Sequence, residues 1–392
     1  MSDTLNFIHF GCWNQGGCSK EQNNQLFTTH LSKVMRLLDK IVDVEKPEFI
    51  TLAGDNYYPK KEGEGDKKKK IVNDEELTTG FDCLPRDIPI YLLFGNHDVD
   101  RLKKEQTEDE CRIVKKQKSI IDRPYSNLLR PNHGNFIMLK LVGETLFLMI
   151  DTTIYTNDDM TCYKELFDLP EGVEIKKFLQ DLQETEIISS LDRLIEDNHK
   201  ISNIIIIGHH PIVCSKYKGE IKKIEPPLDN AFPLLFKILE KYPDCKYFYL
   251  CADLHNYQGG EIELYKTSSP ETILKIHQEI VGTGGTKLDD AVPTASVNNT
   301  VIEHVSEYSL SYRIDPDKNK SEHGVLLCSL NKNHEVSFRF IGIDDQIYKT
   351  NGGSMNRGSA NKVKKTKRIV INRKNKKTKR MKVKRTPLRI TR

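Results

Sequence analysis

Five short apolar runs recur along the chain, and each ends in polar residues. Each run holds four to seven residues, mostly β-branched, aromatic or leucine, which is typical of a strand buried on both faces. The runs lie in 47–58, 88–100, 144–153, 202–213 and 246–257. Because parallel strands place their carboxyl ends at one edge of an α/β sheet, we expect the polar residues after these runs to lie close together.

Helical patterns lie between the apolar runs. Apolar residues recur at three- and four-residue steps in 26–42 and in 184–198, and 232–241 favours a third helix. Strands that alternate with helices predict an α/β body. Near its end, 323–349 predicts a hairpin of two alternating strands, with NKNH at the turn.

Two strongly charged segments interrupt this pattern. The segment 60–70, KKEGEGDKKKK, contains no apolar residue, and we expect a mobile surface loop there. Residues 103–118 predict a solvent-exposed helix. No stretch of the chain reaches the roughly 20 apolar residues that a membrane-spanning helix needs, so we expect no membrane span.

The net charge of +4 conceals an uneven distribution. Residues 351–392 contain 17 Lys and Arg and no acidic residue, whereas the preceding residues carry 43 basic and 56 acidic groups. We therefore expect an acidic globular domain, 1–350, and a disordered basic tail, 351–392, with too little apolar content to fold alone. Its positive charges, concentrated in 362–392, favour non-specific contact with nucleic acid or another polyanion, and they also resemble a nuclear localisation patch.

The cysteines give a prediction about the cellular compartment. The chain has nine of them, scattered without paired spacings, and its first residues show no secretory signal. These features predict an intracellular protein in a reducing compartment, in the cytoplasm or the nucleus. The many Lys, Asn and Ile residues suit an AT-rich genome, such as that of a large DNA virus or a protist.

The polar residues that follow the apolar runs are of types that bind metal ions. They are Asp55, Tyr58, Asn96, His97, His209, His210, Asp253 and His255. Two neighbouring metal ions need a shared anionic ligand together with separate oxygen and nitrogen ligands. Because Zn, Fe and Mn accept such a mixture, the sequence predicts a centre of two divalent or trivalent ions drawn from these metals.

The motifs GD, GNHD, GHH and a final H, in this order, resemble the calcineurin-like metallophosphoesterase superfamily. Within it, GDNYY, GNHD, GHHPIV and LCADLHNYQ are most similar to the purple acid phosphatases, and GCWNQGG at 11–17 and VGTGGTK at 281–287 extend the likeness. The resemblance covers about residues 7–349 and implies a four-layer α/β metallophosphoesterase fold, with two packed mixed β-sheets flanked by helices. It also implies acid phosphatase-like hydrolysis of phosphomonoesters, either small molecules or phosphoproteins.

The resemblance assigns metal ligands position by position. Asp55 would bridge the two ions, as the family's aspartate does at this position. The remaining ligands would be Tyr58 and His255 for the first ion, and Asn96 and His209 for the second.

The resemblance also assigns the catalytic groups. A hydroxide activated by the two ions would attack the phosphorus atom. His97 would protonate the departing alkoxide, a role that suits an imidazole with a reference pKa of about 6.5. His210 would contact the phosphate group.

Two ligand positions depart from the family's pattern. Cys12 stands where the family has aspartate, and Asp253 stands where the family has the first histidine of GHxH. A thiolate favours softer ions over ferric iron, whereas a carboxylate favours Mn or Mg. The alternatives are a small apolar side chain at a strand end for Cys12 and a solvated carboxylate for Asp253.

Three hypotheses about function follow from these features. The first is a two-metal phosphomonoesterase. The second is a pseudophosphatase that has lost activity through the changes at Cys12 and Asp253 and acts as a binding or structural module. In the third, the basic tail carries the main function: it tethers nucleic acid, and the folded domain serves as an adaptor.

Overall fold

The computed structural model describes most of the first 345 residues. The described ranges are 4–18, 29–62, 69–102, 109–124, 126–130, 138–167, 169, 172–218, 221–293, 300–305 and 307–345. Residues Met1–Lys349 form one compact unit. The predicted basic tail lies outside the described residues, so its expected disorder stays a prediction.

The described chain alternates strands and helices. The strands are β1 (Thr4–Phe10), β2 (Phe49–Ala53), β3 (Lys60–Glu62), β4 (Lys69–Ile71), β5 (Ile90–Leu93), β6 (Leu128–Leu129), β7 (Met138–Val142), β8 (Thr145–Met149), β9 (Asn203–Ile207), β10 (Cys214–Lys218), β11 (Ile221–Glu225), β12 (Lys246–Cys251), β13 (Tyr257–Lys266), β14 (Ser269–Val281), β15 (Thr300–Val305), β16 (Tyr308–Lys320), β17 (Gly324–Asn331) and β18 (Val336–Gly342). The α-helices are α1 (His30–Glu45), α2 (Asp74–Asp82), α3 (Asn96–Val99), α4 (Arg112–Ile121), α5 (Thr153–Thr156), α6 (Tyr163–Leu166), α7 (Ile175–Glu196) and α8 (Phe232–Lys241). Among the described residues, no helix combines the length and the apolar character needed to cross a bilayer.

Within the described residues, the strands form two large mixed sheets and two small hairpins. The first large sheet has the order β18-β17-β1-β2-β5-β6, in which β1, β2, β5 and β6 are parallel. The second has the order β15-β16-β13-β14-β12-β9-β8-β7, in which β8, β9, β12 and β14 are parallel. In the second sheet the parallel strands lie at the centre, and in the first they run from the centre to the edge strand β6. The buried sequences of the inner strands require cover on both faces.

The two large sheets pack face to face through aromatic side chains. Phe7 of β1 and Phe49 of β2 stack with ring centroids 5.0 Å apart, and Phe147 of β8 meets both rings edge-on at 5.2 and 5.4 Å. Such pairs contribute about 0.5–1.5 kcal/mol each beyond their buried area. Helices flank the sheets, with α1 against β17 and with α7 packed on α8. This is the mixed α/β metallophosphoesterase fold that the sequence predicts.

The strongly patterned elements were predicted correctly. The five apolar runs form β2, β5, β8, β9 and β12, and every residue of β2, β8 and β9 is buried. The hairpin of β17 and β18 turns at the expected NKNH. Helix α8 has the expected bounds, whereas α7 begins nine residues before the expected 184, because Leu179 and Gln183 are buried against the core as well.

The expectation for the charged segment 60–70 was wrong where the structure describes it. Strand β3 pairs with β4 in an antiparallel hairpin, in the register Lys60↔Ile71, Lys61↔Lys70 and Glu62↔Lys69. Ion pairs from this hairpin to α2 and to the chain after α3 anchor it, although the segment 60–70 itself contains no apolar residue. Residues 63–68, between the two strands, lie outside the described residues.

The other charged segment contains α4, which begins at Arg112. Ile113, Val114, Ile120 and Ile121 are buried, so this helix presents a substantial apolar face to the core rather than being solvent-exposed all round. Residues 103–108 of the predicted helix lie outside the described residues.

Two disulfide bonds join distant parts of the chain. Cys18 bonds to Cys83, and Cys111 bonds to Cys162, with sequence separations of 65 and 51 residues. The sequence shows no paired spacings, because partners so far apart leave no local spacing to recognise. Disulfides persist chiefly in oxidising compartments, so these bonds weigh against the reducing compartment expected from the sequence. A cytoplasmic or nuclear location stays a prediction.

Candidate metal centre

Three predicted metal ligands share an unusual backbone conformation. Cys12, Asp55 and Asp253 have φ angles of 51°, 52° and 59°. Each lies two residues beyond the end of a central parallel strand, β1, β2 or β12. A left-handed conformation costs a non-glycine residue about 1–3 kcal/mol, and such residues cluster at functional sites. Three strained residues at equivalent strand ends therefore point to a site that requires this geometry.

Two glycines make room for the ligands. A Cβ atom on Gly95 would lie 2.3 Å from Oδ1 of Asp55, and a Cβ atom on Gly54 would lie 2.7 Å from Nδ1 of His209. Gly54 also has a φ of +86°, which a residue with a side chain rarely adopts. The glycines of the GD and GNHD motifs thus let the strand ends approach until their polar side chains meet.

Asp55 lies at the centre of the cluster, and its two carboxylate oxygens face different neighbours. Oδ2 accepts a hydrogen bond from the Tyr58 hydroxyl at 2.6 Å. Oδ1 accepts one from the backbone N–H of His97 at 3.0 Å and lies 3.4 Å from Nε2 of His209. Burial opposes ionisation of Asp55, but the nearby histidines and the Tyr58 hydrogen bond outweigh it and lower its pKa to about 2. The carboxylate is therefore charged and has one oxygen available on each side.

One group of ligands gathers around Oδ2 of Asp55. Donor atoms of Cys12, Asp55 and His255 all lie within 4.8 Å of one another. The Tyr58 hydroxyl lies 2.9 Å from Nε2 of His255, so it joins the same group. Sulfur, imidazole nitrogen and oxygen donors together suit zinc. The structure thus places Cys12, which could have been only a small apolar residue, among the predicted metal ligands.

A second group of ligands gathers on the Oδ1 side of Asp55. Donor atoms of His209, His210 and Asp253 lie within 4.8 Å of one another. Nε2 of His209 lies 3.0 Å from Oδ1 of Asn96 and 3.9 Å from Oδ1 of Asp253. Nδ1 of His209 donates to the carbonyl oxygen of Ala53 at 2.6 Å, which leaves the Nε2 lone pair for a metal ion.

His210 is buried beside this second group. Its ring contacts the hydroxyls of Thr152 and Thr156 at 3.2 and 3.1 Å, and Tyr249 donates a hydrogen bond to its carbonyl oxygen. Burial, and then the charge of His209, hold the pKa of His210 well below its usual value, so the ring is neutral. A neutral imidazole beside Asp253 can support a metal ion, whereas the expected contact with phosphate stays a prediction.

His97 borders the cleft and belongs to a short relay of hydrogen bonds. Its Nδ1 lies 3.0 Å from Oδ2 of Asp100, and the same oxygen accepts from Nζ of Lys70 at 2.5 Å. Burial lowers the pKa of His97, but the Asp100 hydrogen bond and the charge of Asp55 outweigh it and raise the pKa above its ordinary value. The ring can therefore carry a proton near neutral pH, with Nδ1 held by Asp100 and Nε2 free to donate. The sequence reasoning missed Asp100, although His-x-x-Asp spacing on one helical turn was visible.

Asp98 is a second residue that the sequence reasoning missed. It is fully buried and accepts hydrogen bonds from the backbone N–H groups of Asn56 and Gly95 and from the side chains of Asn56 and Gln117. Burial, and then the charge of Asp55, raise its pKa to about 7. These bonds connect the turn after β2 to the turn that carries Asn96, and so they fix the relative positions of the candidate ligands on the two turns.

A cavity of about 850 Å³ opens beside the first group of ligands and His97. Its lining residues are Gln15, Tyr58, Pro59, Lys60, Lys61, Glu62, Lys70, His97, Tyr217, His255, Thr286, Lys287, Leu288, Asp289 and Asp290. Tyr58, His97 and His255 thus connect the candidate centre to a space large enough for a small organic ligand.

Comparisons with known proteins identify similar sequences and folds. A family model described as calcineurin-like phosphoesterase matches residues 5–257, which include every predicted ligand and more than half of the chain. No curated protein matches the chain. One similar solved structure is titled "GAP50 the anchor in the inner membrane complex of Plasmodium". It is 13% identical over 87% of this chain and 85% of that chain, with a TM-score of 0.47, which carries no argument about function.

Proposed function

Because the chain belongs to the calcineurin-like phosphoesterase family, we propose that it hydrolyses phosphomonoesters at a centre of two metal ions. The position of Asp55 is the observation that carries this proposal. Its Oδ2 faces the group of Cys12, Tyr58 and His255, while its Oδ1 faces His209. One carboxylate shared between two sets of ligands is what a two-metal site requires.

The described residues fit two metal ions of different character. Cys12, Asp55, Tyr58 and His255 would hold the first, and their sulfur and nitrogen donors favour zinc. The second would be held by the residues Asp55, Asn96, His209 and Asp253, with His210 beside them, and Mn, Fe or Zn suits this set. When bound, such ions lower the pKa of water and offset the negative charge of the phosphoryl group.

The protein's own residues would orient the substrate and move a proton. Nε2 of His97 would donate its proton to the oxygen of the departing alkoxide. Asp100 would fix the ring and favour its protonated form through the 3.0 Å contact at Nδ1. This assignment makes His97 the general acid and Asp100 a positioning residue.

The test is hydrolysis of p-nitrophenyl phosphate and of phenyl phosphate by the full chain supplied with Zn²⁺ or Mn²⁺. His97→Asn should lower kcat by about 10²–10⁴, because general acid catalysis typically contributes that much. The loss should be larger with phenyl phosphate, whose leaving group needs the proton more. His199→Asn is the control, since His199 is exposed between α7 and β9. Equal turnover by the His97 variant and the wild type would contradict the proposed role.

The rival proposal is a pseudophosphatase that serves as a binding module. Cys12 and Asp253 favour it, because both stand at ligand positions where family members have other residues. A chain that binds metal ions but leaves every tested phosphomonoester intact would support this rival. Metal-dependent turnover that His97→Asn abolishes would exclude it.

We also propose that the basic tail brings the folded domain to a polyanion. The support is the charge of residues 351–392, with 17 Lys and Arg and no acidic residue. The tail has no aromatic residue for base stacking, so the contact would be electrostatic and non-specific.

A further inference from the structure

The hairpin of β3 and β4 places two lysines directly opposite each other at the cavity. Lys61 and Lys70 are partners in its register, and both line the cavity. Directly opposite side chains in an antiparallel pair have Cβ atoms about 4.5–5.5 Å apart, and like charges in such a pair are destabilising. The hairpin thus holds a repulsive pair beside the candidate centre.

Strands β3 and β4 together carry four lysines and one glutamate, and carboxylates from outside the hairpin pair with two of these lysines. Lys60 pairs with Glu76. Lys70 pairs with Asp100. Within the described part of the chain, Lys61 forms no ion pair, and its side chain is exposed. Of the two opposed lysines, only Lys70 therefore has a carboxylate partner among the described side chains, which leaves the ammonium group of Lys61 for an anionic ligand.

The position of Lys70 connects this pair to the reacting end of the cleft. Its Nζ and Nδ1 of His97 both contact Oδ2 of Asp100, at 2.5 and 3.0 Å. The ammonium group is thus two hydrogen bonds away from the proposed general acid. A ligand whose phosphate lies against His97 can reach Lys61 and Lys70 with its next few atoms.

The part of the lining that lies outside the hairpin differs in charge. It carries Lys287 but also Asp289 and Asp290, and Oδ2 of Asp289 accepts a hydrogen bond from the backbone N–H of His255 at 3.1 Å. Lysines thus outnumber carboxylates in the lining only on the hairpin side, where Lys60, Lys61 and Lys70 stand beside Glu62. Tyr217 adds an aromatic ring to the lining, which suits the organic part of a ligand.

The size of the cavity also exceeds what one phosphate group needs. Its volume of about 850 Å³ lies near the upper end of the range of about 300–1,000 Å³ for sites that bind small organic molecules. The space therefore suits a substrate that extends from the metal ligands to the hairpin.

We propose that Lys61 and Lys70 bind a second phosphate group of the substrate. The preferred substrates are then small bisphosphorylated molecules, of which a nucleoside 3′,5′-bisphosphate is an example. This inference rests on the proposed function in one respect only, namely that the first phosphate group is hydrolysed at the metal centre. The second phosphate would be held by the flexible, strongly charged ammonium groups that proteins commonly use for phosphate.

The test compares adenosine 3′,5′-bisphosphate with adenosine 5′-monophosphate on the full-length chain. If the protein hydrolyses them, the preference is the ratio of their kcat/KM values. If it hydrolyses neither, both ligands survive, and calorimetric titration gives the preference as a ratio of dissociation constants. The proposed function can therefore fail while this inference is still tested.

We expect the wild type to prefer the bisphosphate by about tenfold, because one or two charge-assisted hydrogen bonds contribute about that much to affinity. Lys61→Gln should reduce the preference about three- to tenfold, Lys61→Glu should abolish it, and Lys61→Arg should retain most of it. Lys332→Gln, in the turn between β17 and β18, is the matched control and should leave the preference unchanged. The preference should also weaken as salt increases, because Lys61 is exposed.

Two results would overturn the inference. One is a wild-type protein with no preference for the bisphosphate, and the other is an equal preference in the wild type and in Lys61→Gln. A third ligand, a phosphorylated trinucleotide, is measured in the same assay. If it is preferred over the bisphosphate and Lys61→Gln removes that preference, the small-molecule assignment is wrong and the subsite binds the phosphodiester of a nucleic-acid end.

Discussion

The sulfur of Cys12 lies 3.9 Å from Oδ2 of Asp55, and both side chains are almost completely buried. Burial, and then the charge of Asp55, raise the pKa of Cys12 well above its usual value, so without a cation the thiol keeps its proton. A coordinated thiol loses its proton outright. The protonation state of Cys12 therefore reports whether a metal ion has entered the first group of ligands.

Binding of Co²⁺ would make this change at Cys12 measurable by absorption spectroscopy. We expect Co²⁺ to produce a sulfur-to-cobalt charge-transfer band in the near ultraviolet, and Cys12→Ser to abolish it. Cys245→Ser is the control, because the half-buried thiol of Cys245 is free and donates to the carbonyl oxygen of Ile201 instead. A band that persists unchanged in Cys12→Ser would remove Cys12 from the ligand set.

Asp253→Asn should lower the metal content of the purified protein from about two ions per chain to about one. The amide is a weaker ligand than the carboxylate, and Asn tolerates the left-handed backbone at this position, so the fold should persist. Elemental analysis after purification without chelators measures the change. Asp229→Asn, at a partly exposed position outside the two groups of ligands, should retain the wild-type content. Full occupancy in Asp253→Asn would leave Asp253 as a solvated carboxylate.

His277 should make the stability of the fold depend on pH. Burial lowers its pKa, but hydrogen bonds to Glu261 and Glu279 at 2.5 and 2.7 Å outweigh this and raise the pKa to about 9. The folded-state pKa exceeds the unfolded value, so this stabilisation is fully present below about pH 6.5 and is lost as the pH rises through about 9.

The free energy of unfolding in urea, measured at pH 6 and at pH 9.5, tests this dependence. His277→Gln should remove a difference on the order of 2 kcal/mol between the two conditions. His199→Gln, at an exposed histidine, should keep the wild-type difference. The same pH dependence in both variants would mean that another group is responsible.

The disulfide between Cys111 and Cys162 should stabilise the fold by about 2–4 kcal/mol, because it restricts the unfolded chain. Replacing both cysteines by serine should lower the free energy of unfolding by that amount under oxidising conditions. Dithiothreitol should destabilise the wild type but have a smaller effect on this double variant, which retains only the bond between Cys18 and Cys83. No effect of the reductant on the wild type would show that these bonds do not form in solution.

Deletion of 351–392 should abolish retention on heparin and binding to duplex DNA. The removed segment supplies 17 positive charges, and binding to DNA by such charges weakens steeply as salt increases. A chain whose tail residues are shuffled is the matched control and should bind like the wild type, since only charge matters. Loss of binding in the shuffled chain would indicate that the tail recognises its partner by sequence.

The parts of the fold that the sequence predicts best are those in which burial dictates residue type. Runs such as 204–207 are apolar because both faces of a central strand are covered, so the sequence predicts a strand there. The polar side chains that follow such strands were expected to lie close together, because parallel strands place their carboxyl ends at one edge of a sheet. Asp55 and His209 follow inner strands of the two different large sheets, and Nε2 of His209 lies 3.4 Å from Oδ1 of Asp55.

The parts that could not be predicted depend on contacts between distant residues. The hairpin of β3 and β4 carries no apolar pattern, and its anchors, Glu76 and Asp100, lie outside the segment itself. Both disulfides join cysteines that only the folded chain brings together. Asp98 resembled a third member of the GNHD ligand motif, but it turns inward and supports the turns that carry the ligands.

The bond between Cys18 and Cys83 closes a covalent ring that contains Asp55, Lys61 and Lys70. A protease that cuts the backbone once between these cysteines would therefore leave the two pieces attached to each other. The nicked chain would migrate as one species on a denaturing gel without reductant and as two species with it. The chain segment that supplies the proposed bridging carboxylate and the proposed phosphate-binding lysines is thus protected from separation by a single cleavage for as long as its surroundings stay oxidising.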